Sequence, residues 1–73
     1  MKITDPDTVE TSRKMIALID EGYTFAHAWH VLSKELPPAT QVVVSFNYSD
    51  WLKAAGLPLC EENVIAAMRE IAA

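Results

Sequence analysis

Phe25, Ala28, Trp29, Leu32 and Leu36 recur at i, i+3, i+4, i+7 and i+11, the spacing at which side chains share one face of an α-helix. Any fold of this chain has to bury that stripe. Thr24 stands where a capping hydroxyl is wanted, and Pro37 and Pro38 end the helix near Glu35, because a residue before proline resists the helical conformation. His27, His30 and Lys34 occupy the opposite flank.

Two more stripes flank this one. From Thr8 to Glu21, Val9, Ile16 and Ile19 with Met15 alongside line one face, interrupted only by the small Ser12, while Glu10, Arg13, Lys14 and Asp20 are left for water. Asp7 or Thr8 can cap this helix, and Gly22 sits where a left-handed terminal residue is wanted. The tight Gly22-Tyr23 connection makes the first two helices neighbours in an αα-hairpin. From Glu61 to Ala72, Val64, Ile65, Met68, Ile71 and Ala72 form the last stripe, expected to close the core against Trp29 and Ile16. Glu61 and Glu62 suit the positive end of that helix.

The middle of the chain reads differently. Gln41 to Phe46 is QVVVSF, β-branched and aromatic, with Pro37-Pro38 before it and the turn-prone Asn47-Tyr48-Ser49-Asp50 after it, a pattern that favours a strand. A strand over 42–46 needs a partner: Lys2 to Thr4 is the candidate within the chain, and otherwise the strand is an edge that can augment a partner's sheet. Ser49 or Asp50 then caps a short third helix through Ala55, stopped by Gly56 and Pro58. The expected fold is therefore α+β and mainly α, with about four short helices and a minimal two-stranded sheet in a single domain spanning residues 1–73.

That architecture leaves little for chemistry. Hydrophobic residues make up 51% of the chain, against two His, one Cys, and six Lys and Arg facing ten Asp and Glu. His27 and His30 have a spacing that can place two imidazoles on one metal, but a stable zinc site wants two more ligands and Cys60 is the only thiol. Cys60 with either histidine lacks the pocket and oxyanion site that a nucleophile requires, and two glycines, Gly22 and Gly56, cannot make a phosphate loop. No enzyme activity, metal or cofactor is expected. The lone thiol suits a reducing interior, no apolar leader follows Met1, and no apolar run approaches the roughly 20 residues of a membrane span, so a cytoplasmic protein without a membrane partner is expected.

The net charge of −4 opposes direct nucleic-acid binding. Ser49 to Ile71 has the outline of a helix-turn-helix, and a DNA-binding regulator is the alternative reading. Its second helix, however, would offer Cys60, Glu61, Glu62 and Asn63 where a DNA reader places positive charge. What remains is a surface for a protein partner. The candidates for it are Tyr23 and Tyr48 at expected loop positions, Trp51, and the basic side chains Arg13, Lys14 and Lys34.

With its opening MKITDPDTVE, its FAHAWHVL helix and its ending CEENVIAAMREIAA, the chain resembles the small phage-encoded inhibitors of bacterial RNA polymerase, transcription regulators of Xanthomonas phage. The resemblance spans the chain in length and overall character and contains no motif that carries individual residues across. It implies a transcription regulator in the host cytoplasm that binds the β′ and β subunits of the polymerase. It further implies inhibition of promoter initiation by interference with the sigma factor, together with antitermination.

Overall fold

Asp5 opens the first helix: its carboxylate accepts hydrogen bonds from the Thr8 backbone N–H at 3.1 Å and the Thr8 hydroxyl at 2.7 Å, and Pro6 fills the first helical position. The helix, α1 (Pro6–Asp20), thus starts two residues before the expected Thr8. It ends where Gly22, at φ +108°, turns the chain, with Gly22 N–H donating to the Ile19 carbonyl and Tyr23 N–H to the Leu18 carbonyl. The computed structural model describes residues 2–73.

Thr24 caps α2 (Phe25–Ser33), its hydroxyl accepting from the His27 N–H at 3.1 Å. Two prolines follow, and the chain immediately enters α3 (Pro38–Ala55) with Pro38 at its first turn. Gln41 joins the two helices, its amide donating to the Ser33 and Leu36 carbonyls that the end of α2 leaves open, at 2.9 and 3.0 Å. Gly56, at φ +71°, ends α3 with the same pair of terminal bonds that ends α1: Gly56 N–H to the Lys53 carbonyl and Leu57 N–H to the Leu52 carbonyl. The last helix, α4 (Glu61–Ala72), has the bounds its stripe indicates.

The fold is all-α, which corrects the expected α+β class. Among the described residues there is no strand, Lys2 to Thr4 forms no regular structure, and residues 42–46 lie inside α3. The expected strand and the expected third helix are one continuous helix of 18 residues. Its cause is long-range packing. Val44, Tyr48 and Leu52 stand four apart on one buried stripe, while Val42 and Phe46, which a strand would place on the same face as Val44, turn outward. Asn47, read as a turn former, instead donates from its side chain to the Thr8 hydroxyl of α1 at 2.8 Å, and the Tyr48 hydroxyl lies 2.7 Å from that of Ser12. Polar groups that would compete with a helix by bonding their own backbone are here satisfied by α1.

The four helices share one core of Met15, Ala28, Leu32, Val44, Tyr48, Leu52, Ala67, Met68 and Ile71, with Trp29, Ile16, Val64 and Phe25 packed around its margin. α1 contacts each of the other three helices, and α4 also packs on α3. The face of α1 that sits inside is partly polar: Thr8, Thr11 and Ser12 are buried with Met15. Among the described residues every buried side-chain nitrogen and oxygen has a hydrogen-bond partner. At the far end of the bundle Arg69 of α4 holds Asp20 of α1 through both carboxylate oxygens, at 2.8 and 3.4 Å, and this bond keeps the Asp20 carboxyl below its usual range.

Candidate functional site

A helix that buries Val44, Tyr48 and Leu52 necessarily turns Val42, Val43 and Phe46 outward, since these lie about 100 to 160° away on the helical wheel. Phe46 is 64% exposed, Val42 53% and Val43 49%. Val42 and Phe46 border an open depression of about 710 Å³ between α2 and α3, whose walls include Trp29, Pro38, Gln41 and Ser45. A second hollow of about 250 Å³ continues from it, sharing Trp29, Ser45 and Ser49, and is closed by Phe25, Val64, Met68 and Leu59. Leu59, on the loop between α3 and α4, is 72% exposed. No charged side chain lines either hollow. The result is one continuous apolar groove with a large aromatic on its rim, the composition of an interface core rather than of an ordinary acidic surface.

The six residues singled out by sequence do not assemble into this site. Tyr48 is the clearest departure. It lies in α3 rather than a loop and is 4% exposed, and desolvation pushes its phenol up to about 12 against the opposing pull of the Ser12 bond. It is a core residue that reaches the second hollow only as part of its floor. Trp51, on the opposite side of α3, is half-buried beside Ile3, Ala54 and Ile71. Tyr23 is exposed in the α1–α2 turn with its ring tilted 54° on His27 at 5.0 Å between centroids. Lys14 turns to the carboxylates of Glu10 and Glu35, at 3.4 and 3.9 Å, so its charge is matched within the chain. Arg13 is exposed on α1 and Lys34 at the end of α2.

His27, His30 and Cys60 are all exposed, and among the described residues no three His, Cys, Asp or Glu side chains converge as a metal-binding group would. Among the same residues no helix is long and apolar enough to cross a membrane. Val42, Phe46 and Leu59, which form the groove with Trp29, are not among the six candidate residues, because QVVVSF reads as a strand whose contribution to binding would be its backbone edge. Placed on a helix, the same letters put Val42 and Phe46 one turn apart, on the side opposite Val44 and Tyr48.

Comparison of the chain with family models, with curated proteins and with solved structures finds no match in any of the three. The chemistry of the groove is therefore read from its own residues. It is shallow and open, unlike the enclosed pockets that surround most of a small ligand, and its exposed apolar side chains gain free energy only when another surface covers them. The start of α4, where a helix-turn-helix protein would meet DNA, presents the exposed carboxylates of Glu61 and Glu62.

Proposed function

We propose that this chain is a non-catalytic protein-binding module of the bacterial cytoplasm whose partner is RNA polymerase. In this reading it engages the β′ and β subunits, inhibits promoter initiation by interfering with the sigma factor, and promotes read-through of terminators. The observation that carries the binding role is the uncovered apolar face of α3, with Phe46 64% and Leu59 72% exposed beside half-buried Trp29. The choice of polymerase is supported by the whole-chain resemblance to phage-encoded inhibitors. Interference with a sigma factor requires a compact scaffold and one interface, and neither cofactor nor nucleophile.

A promoter-dependent transcription assay tests this directly. Purified chain added to bacterial polymerase is expected to suppress transcripts when it meets core enzyme before sigma, and to be retained on immobilised core. Undiminished transcripts together with no retention would rule the proposal out. A duplex DNA titration at low salt serves as the control for the helix-turn-helix alternative: binding that falls steeply with salt would favour that alternative.

A further inference from the structure

The groove also restricts what can occupy it. Among the described residues there is no strand, so the chain offers no sheet edge to which a partner strand could be added. The backbone groups of α3 are bonded within the helix, which leaves only side chains for a partner to grip. The run from Pro38 to Ser49 is about 18 Å long at 1.5 Å per residue, close to three helical turns. A helix laid along it, with apolar residues at i, i+4 and i+7, matches the spacing of Val42 and Phe46 and can reach Leu59 beyond them.

Acidic residues are the sequence neighbours of the lining residues Ser49 and Leu59. The lining itself is uncharged, but Asp50 directly follows Ser49, and Glu61 and Glu62 follow Leu59 by two and three residues, Ser49 and Leu59 both lining the second hollow. All three carboxylates are exposed, and among the described residues none of them takes part in an ion pair; the pairs formed are those of Lys14 and Arg69. Lys53, one turn past Asp50, is the cation nearest to them along α3. We propose that the groove between α2 and α3 receives an amphipathic helix of a protein partner whose apolar stripe is followed by Lys or Arg residues, seated so that its basic end meets Asp50, Glu61 and Glu62. This rests on the docking role proposed above and specifies the element that docks.

The test uses two labelled synthetic peptides of about 14 residues that share one Leu-based helical stripe and differ only in carrying three Lys or three Glu at one end. Fluorescence anisotropy at low salt is expected to show the Lys peptide binding about tenfold more tightly, the advantage shrinking as salt rises. Backbone NMR shifts are expected to gather around Trp29, Val42, Phe46 and Leu59. Reversing the rim with Asp50→Lys, Glu61→Lys and Glu62→Lys is expected to invert the preference, and Phe46→Asp to remove binding of both peptides.

Equal affinities, binding of neither peptide, or shifts centred elsewhere would overturn the proposal. So would sedimentation of the chain alone as a dimer that Phe46→Asp dissociates, because the occupant would then be a second copy. Retention on polymerase core, measured with the same variants, separates the two readings. Peptide preference without polymerase retention defeats the polymerase assignment alone, whereas polymerase retention that ignores Phe46→Asp, with no peptide preference, defeats the groove assignment alone.

Discussion

Tyr48 couples two helices through a single hydroxyl. Its oxygen lies 2.7 Å from Ser12 Oγ, which also donates to the Thr8 carbonyl at 2.7 Å, while the Thr8 hydroxyl accepts from Asn47 and donates to Asp5. The start of α1 and the middle of α3 are thereby held in one register by buried polar bonds. Tyr48→Phe keeps the ring and deletes the hydroxyl, and chemical denaturation is expected to show a loss of about 1 kcal/mol. Truncation to Ala empties the ring's place in the core and is expected to cost about 3–5 kcal/mol. The phenol also gives stability a defined pH dependence. With the folded value near 12 and the unfolded value near 10, both states keep the proton below pH 10, so Tyr48 adds no slope there. Between pH 10 and 12 the unfolded state ionises first, and stability falls as pH rises, by at most about 1.4 kcal/mol per pH unit. Denaturation midpoints measured across this range should fall more steeply for the wild type than for Tyr48→Phe.

At the scale of elements, α3 carries β-branched residues where packing does not require them. Val42 and Val43 are about half exposed and cost helix propensity relative to Ala. Thermal denaturation of Val42→Ala and Val43→Ala is expected to show gains of a few tenths of a kcal/mol each, up to about 0.5, with weaker partner binding for Val42→Ala alone. Conversely, Gly56→Ala meets no steric obstacle but must hold φ near +71°, and is expected to lose about 1 kcal/mol. These same residues explain what could be read in advance. Thr24, Gly22, Gly56 and the α4 stripe signal their elements through local chemistry, and each is where the sequence indicates. α3 is not legible in the sequence because its local preferences, β-branched Val42-Val43-Val44 and turn-forming Asn47 to Asp50, oppose the outcome. The residues that decide it, Thr8 and Ser12, are 36 or more positions away. Propensity is a weak signal when tertiary bonds of that kind compete with it.

Across the whole molecule, the composition, with two His, one Cys and two Gly, gives the expectation that function resides in a surface. Which surface was not legible, because the face of α3 exists only once residues 42–46 are helical. Tyr48 passed from expected anchor to core, Lys14 to an internal ion pair, and the groove fell to Phe46, Val42 and Leu59 beside Trp29. The apolar groove, with the exposed carboxylates of Asp50, Glu61 and Glu62 next to its lining residues in sequence, is what supports the proposed protein-binding role. Because Phe46 is 64% exposed, replacing it with Asp should leave the circular dichroism spectrum and thermal midpoint nearly unchanged while placing a charge in the groove. The most direct measurement is the retention of wild type and Phe46→Asp on immobilised bacterial RNA polymerase core. Retention of the wild type with at least about a tenfold loss for the variant is expected; equal retention of both, or of neither, would contradict the assignment of this face as the docking surface for polymerase.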